Sequence, residues 1–174
     1  MFIDKNSGTL ELPNGLVMTT ELNKAGFENS DCFSQATAYD HGTLPFQWYR
    51  FEGGQLNGHF LNVNLCFYSD VLTNFHISAN FYQPETRDWE DISLEIESQA
   101  KTFHDQLLQN ELGKPHKRIS LPLRQNQPIL DYRIEYNYKW GSVWSEYDSR
   151  AGSSLIGIGY GSRLKDAQDN YQMK

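Results

Sequence analysis

Five histidines, His41, His59, His76, His104 and His116, are the first side chains to weigh, because imidazole both ligates metals and titrates near neutrality. None has a second His or Cys at the i+2 to i+5 spacings of a local ligand pair, and no HExxH occurs, so no metal site is assigned. His76 falls on the polar side of a strand pattern with Asn74, Ser78 and Asn80, where Asn62, Asn64 and Cys66 could meet it across a hairpin. A solvated sheet face produces such a set more often than a catalytic centre does. His104 and Asp105 are neighbours on a helix pattern and point about 100° apart, so they are not a base and its orienter; a surface histidine is expected. Glu146 and Asp148 share one side of a strand and are the nearest thing to an acid–base pair, yet two acids at i, i+2 on an exposed face are commonplace. The GIGYG run at Gly157–Gly161 lies in a strand with no amphipathic helix after it, which excludes a dinucleotide fingerprint. Glycine in a strand instead marks a bulge or the close approach of a neighbour. Cys32 and Cys66 lack CxxC spacing and are expected as reduced thiols, with a disulfide between them left open. No catalytic residue and no cofactor follow from these patterns.

The elements that would position these residues are mostly strands. From Asp131 to Tyr160 the chain first alternates strictly, Tyr132, Ile134, Tyr136, Tyr138 and Trp140 against Arg133, Glu135, Asn137 and Lys139. Period two is the signature of a half-buried strand. A second strand follows through Val143, Ser145 and Tyr147, then a turn at Asp148–Gly152 and a last strand with Ile156, Ile158 and Tyr160. From Gln47 to Phe81 three more strands form an antiparallel meander, the first ended by Gly53-Gly54, with Leu61, Val63, Leu65, Phe67, Phe75 and Ile77 on its apolar face. Near the start, Asn14-Gly15 predicts a hairpin over Thr9–Met18 at a sheet edge, and Thr19 or Thr20 is the expected cap of a short helix through Phe27.

One long helix is predicted over 88–112. Trp89, Ile92, Ile96, Ala100, Phe103 and Leu107 recur at spacings of three and four and form its core stripe, with Asp88 as N-cap and Gly113 as stop. Lys117–Pro128 is a connection with room for a short edge strand. The sum is a single α+β domain over 1–174, an antiparallel sheet packed by one long amphipathic helix.

Composition narrows the function classes. The 174 residues are 39% apolar and 14% aromatic, enough for one core, and no apolar run nears the roughly 20 residues of a membrane span. A net charge of −7 argues against nucleic acid as the main ligand, since phosphate binding needs clustered Lys and Arg, and it suits a basic protein partner. The start, MFIDKNSGTLEL, has no secretory pattern, so the cytoplasm is the expected compartment. Much of the negative charge falls on the helix, at Asp88, Glu90, Asp91, Glu95, Glu97, Asp105 and Glu111, against Lys101 alone. Leu94 and Leu108 point away from its stripe. Trp144, beside Glu146 and Asp148, is the other candidate contact, provided that it is exposed rather than covered. The partner-binding candidates are therefore Trp144, Glu146 and Asp148, then Glu90 and Glu97.

The run Trp140-Gly141-Ser142-Val143, with Ser145, Tyr147-Asp148, Arg150, Gly152-Ser153 and Ile156–Tyr160, resembles the C-terminal pattern of a family of small, largely uncharacterised bacterial proteins. The LPNG at Leu12–Gly15 and the helix with His104-Asp105 and Leu107-Leu108 resemble the same group. That group is similar to the immunity proteins encoded beside secreted polymorphic toxins. The resemblance implies a non-enzymatic protein that binds and blocks a cognate toxin. Two other readings stay open: a ligand-binding or enzymatic domain with a pocket lined by Asn62, Asn64, His76 and tyrosines, and an oligomeric adaptor using a sheet edge.

Overall fold

The computed structural model describes residues 1–39, 46–82, 93–121 and 128–161. Three two-residue strands open the chain, β1 (Phe2–Ile3), β2 (Leu10–Glu11) and β3 (Val17–Met18). Helix α1 (Lys24–Glu28) and a 3-10 helix (Asp31–Gln35) lead into β4 (Thr37–Tyr39). The meander follows as β5 (Phe46–Leu56), β6 (His59–Tyr68) and β7 (Val71–Ala79), then helix α2 (Leu94–Leu112). Strands β8 (Lys117–Ser120), β9 (Tyr132–Tyr138), β10 (Gly141–Asp148) and β11 (Ser153–Gly159) complete the described chain.

The long strands form one eight-stranded sheet, ordered β4-β5-β6-β7-β11-β10-β9-β8, and every described pairing in it is antiparallel. Register explains its two faces. Leu61, Val63 and Leu65 pair with Ala79, Ile77 and Phe75, and the last two pair in turn with Ile156 and Ile158. Alternation therefore carries one apolar face across the sheet to Val143 and Tyr136. All of these residues are buried. The fold is the predicted α+β arrangement, and β8 is the short edge strand for which the connection had room.

Every described element outside this sheet packs on the apolar face. Phe27 of α1 sits among Tyr49, Phe51 and Phe67, at ring-centroid distances of 5.3, 5.6 and 5.9 Å. Burying such a ring contributes about 2–3 kcal/mol. The cap of α1 is Asn23, whose side chain accepts from the Gly26 N–H at 2.7 Å, and not Thr19 or Thr20. The Asn14-Gly15 hairpin is present as β2–β3, but it pairs with β1 in a separate three-stranded sheet. Leu12 reaches from it toward Gly53, and the Asn14 N–H donates to the Gly53 carbonyl at 3.2 Å. Gly53-Gly54 does not end β5. It forms a bulge at which register shifts between Glu52 and Gln55, with Gly54 at φ 88°. The first turn is held from the far end of the chain, since Trp140 Nε1 donates to the Lys5 carbonyl and the Tyr160 hydroxyl to the Gly8 carbonyl.

Helix α2 lies across β7, β11 and β10 with a different face inward from the one predicted. Ser93 is its N-cap; Asp88, Trp89, Glu90, Asp91 and Ile92 lie outside the described residues. The buried positions are Glu97, Ala100, Lys101, His104, Asp105, Leu108 and Leu112. Ile96, Phe103 and Leu107 are only partly buried, and Phe103 packs at the flank against His59 and Phe81. Leu108 thus points in, and His104 is 1% exposed rather than on the surface. The physical reason is that the helix meets the sheet through a hydrogen-bonded network. Glu97 accepts from the Ser154 N–H and from the Tyr82 hydroxyl, while its backbone carbonyl accepts from the Ser154 hydroxyl. Lys101 Nζ donates to Asp105 at 2.6 Å, Tyr132 donates to the other Asp105 oxygen at 2.7 Å, and the ammonium lies 4.2 Å from the Tyr132 ring centroid. His104 Nε2 accepts from the Ala79 N–H at 3.0 Å. A count of apolar side chains cannot register such a face.

Candidate binding face

The opposite face of the large sheet carries no described element, and its side chains form a band from strand to strand. Tyr39 on β4 stands beside Trp48 on β5, with ring centroids 6.2 Å apart. Trp48 lies 5.6 Å from His76 on β7, and His76 lies 6.4 Å from Trp144 on β10. The Arg133 guanidinium of β9 closes the row, 4.8 Å from the Trp144 ring. Strand alternation selects these residues: Tyr39 pairs with Trp48, Asn64 with His76, His76 with Gly157, and Gly157 with Trp144. Asn64 and His76 meet across the β6–β7 hairpin as expected. The Asn64 side-chain oxygen is taken by the Tyr39 hydroxyl and Arg50 Nε.

Gly157 is what lets the band lie flat. A Cβ there would stand 2.1 Å from the Trp144 ring, so the indole crosses β11 only because that position has no side chain. Gly157→Ala should lift the indole, costing about 1–3 kcal/mol as overpacking does. The check is the Trp144 fluorescence signal in a background of Trp48→Phe, Trp89→Phe and Trp140→Phe, together with a urea melt; an unshifted emission band would mean that the ring is not pinned there.

Charge concentrates at the β10 end of the band. Glu146 accepts from Trp144 Nε1 at 2.9 Å, which fixes the indole, and its other oxygen lies 3.8 Å from Arg133. Arg133 makes its tighter contact with Glu135, at 2.7 Å. Burial pushes the Glu135 carboxyl up, but hydrogen bonds from Asn137 and Arg133 together with the charges of Arg133 and Lys117 outweigh it, and the group ends below its usual range. Asp148 accepts from the backbone N–H groups of Arg150 and Ala151 in its own turn. Burial holds the His76 imidazole below its ordinary pKa, opposed by the charge of Asp148, so the ring is neutral at pH 7.

The sequence candidates are thereby distributed over the two faces. Trp144, Glu146 and Asp148 stand together on the face opposite α2; Trp144 is 8% exposed, buried rather than a projecting anchor. Glu97 lies on the covered face, 2% exposed, with both carboxylate oxygens engaged. Glu90 is outside the described residues. Of the helix acids, Glu97 and Asp105 are buried, so within α2 the surface keeps Glu95 and Glu111. The members that sequence did not offer as binding residues are Arg133 and Gly157, and His76 was offered only for a pocket on the polar face. Alternation marked their side of the sheet, but their neighbours across strands depend on β7–β11 pairing. Cys32 and Cys66 are free thiols. Among the described residues no group of three His, Cys, Asp or Glu could hold a metal ion, and no helix is long and apolar enough to cross a membrane.

No protein-family model matches the chain, and no curated protein sequence matches it. By structure it is similar to a chain of the solved complex described as Rhs1-CT in complex with cognate immunity protein RhsI1. The identity is 14% and the TM-score 0.56, covering 99% of this chain and 96% of that chain. At that identity the likeness is one of fold, and it runs almost end to end in both chains. The resemblance to immunity proteins of polymorphic toxins thus has its counterpart in the fold.

Proposed function

We propose that this chain is a non-enzymatic immunity protein that binds and neutralises a cognate bacterial toxin. The observation that carries the reading is the end-to-end fold likeness to a chain of a toxin–immunity complex, 99% of this chain against 96% of that one. The sheet face opposite α2, on which no described element packs and which carries Trp48, Glu146 and Asp148, supports it as a rigid surface for a partner. The Asn64 oxygen on that face is taken by Tyr39 and Arg50, and the His76 ring lies between Trp48 and Trp144, which favours a contact surface over a catalytic centre.

The test is expression in bacteria of the toxin domain encoded beside this gene, with and without this chain. Rescue of growth, together with harmless expression of the chain alone, is the expected result. Toxicity of this chain by itself would place it on the other side of such a pair. Undiminished killing in cells that hold folded chain would end the reading.

A further inference from the structure

We propose that the toxin joins the large sheet at its β8 edge, laying an extended segment with acidic side chains alongside Lys117–Ser120. The inference rests on the neutralising role and adds the place and the chemistry of contact.

Three observations converge on this edge. The first is the backbone. β8 ends the sheet, and no strand lies beyond it among the described residues. Leu121 donates its N–H to the Asp131 carbonyl at 2.7 Å, in the same register that pairs Ile119 with Arg133 and Lys117 with Glu135. An antiparallel ladder turns alternate residues inward and outward. Lys117, Ile119 and Leu121 therefore bond to β9, while Arg118 and Ser120 hold their N–H and C=O groups away from it. All four β8 residues are exposed, even the apolar Ile119. Outward backbone groups of this kind are what an added strand takes up.

The second is charge. Lys114, His116, Lys117 and Arg118 fall within five residues of a chain whose net charge is −7. The carboxylate across from Lys117 is Glu135, which Arg133 already holds at 2.7 Å. Arg118 has no ion pair among the described residues, and its guanidinium lies 3.7 Å from the Tyr132 ring centroid. Two copies paired β8 to β8 would set these cations against their like, and the opposite edge, β4 with Thr37–Tyr39, offers no carboxylate. Lysine on an edge strand guards it against such self-pairing, and the same cations are complementary to an acidic strand. The third is fixity. Arg118 rests on Tyr132, whose hydroxyl is tied to Asp105 at 2.7 Å. His116 Nδ1 accepts from the Asn137 N–H at 2.8 Å, with its ring against Tyr136 and Tyr138. The edge is held as a strand before anything joins it, so little ordering is lost on contact.

The experiment is amide hydrogen exchange of the full chain, alone and with the toxin domain encoded beside this gene, together with calorimetric titration of variants. The Arg118 and Ser120 amides should exchange freely in the chain alone and slow at least about 10-fold in the complex. Ser120→Pro removes one outward donor and no bond to β9; affinity should fall about 10-fold. Lys117→Glu with Arg118→Glu should weaken binding at least about 100-fold, with circular dichroism unchanged. Thr37→Glu with Ala38→Glu, which adds negative charge at the opposite edge, should leave affinity within about 3-fold. Tight binding and neutralisation with those two amides still exchanging freely, or unmoved by the β8 variants, would overturn this placement while leaving the proposed function standing. Protection of the same amides by a second copy in the chain alone would overturn the placement too. Absence of binding by the unaltered chain would overturn both.

Discussion

Lys101→Met should destabilise the protein by about 3–5 kcal/mol, the usual cost of removing one member of a buried ion pair. Lys101 is fully buried and bonded to Asp105 at 2.6 Å, with the Asp105 side chain 6% exposed. Without the ammonium, Asp105 keeps the Tyr132 hydroxyl as partner but holds a charge with no counterion beneath the helix. The converse experiment separates the pair's net worth from the penalty of breaking it. Lys101→Met, Asp105→Leu and Tyr132→Phe together should recover most of the loss, since an apolar replacement of a whole buried network is often neutral. Urea melts of the single and triple variants decide the matter. If the single change costs under about 1 kcal/mol, water reaches the pair and the helix is not seated as described.

Acidification should weaken the fold through His104. Burial, then the charges of Lys101 and His59, lower its pKa from 6.5 to about 3, and its Nε2 is engaged by the Ala79 N–H. The folded state therefore binds fewer protons than the unfolded chain between pH 6.5 and 3. Stability rises with pH wherever the unfolded state holds more protons, so it is present in full above pH 6.5 and drains as the pH falls toward 3. From pH 7 to 5 the loss should be about 2 kcal/mol, and by pH 4 about 3 kcal/mol. His76, lowered also by burial, adds in the same direction. His104→Gln retains an acceptor for Ala79 and removes the titration, so its stability should fall far less over pH 7–5. Parallel losses in the two proteins would mean that another group governs the acid limb.

These two predictions sit where sequence reading failed, and the reason is physical. Periodicity locates a helix by its apolar residues, and α2 turns Lys101, His104, Asp105 and Glu97 toward the sheet, so the stripe drawn through Ile96, Phe103 and Leu107 is rotated from the buried one. Burial of ionic groups is decided by partners on other strands, such as Tyr132 and Ser154, which lie 27 and 57 residues away from the helix residues that they bond. The strands were legible because alternation is local. Leu61, Val63 and Leu65 share a face in β6 whatever lies beside it, and the turn before Ser153 stands where Asp148–Gly152 placed it. Gly157 was legible as a close-approach glycine but not as the bed of Trp144, because the Trp144–Gly157 pairing is set by register. The bulge at Gly53-Gly54 was mistaken for a stop, since both leave the same two glycines in the sequence.

The place of β11 also governs the order in which the chain can become a protein. On the ribosome the meander β4–β7 emerges long before its neighbour, leaving β7 with a bare hydrogen-bonding edge lined by Phe75 and Ile77 until Ile156 and Ile158 arrive. Such an edge on a nascent chain is a template for pairing with other chains, and joining distant strands is slow. Helix α2, made in between, has no finished surface to lie on until β11 and β10 are in place. The large sheet is thus completed only once β10 and β11 have been made, whatever the earlier strands have done by then.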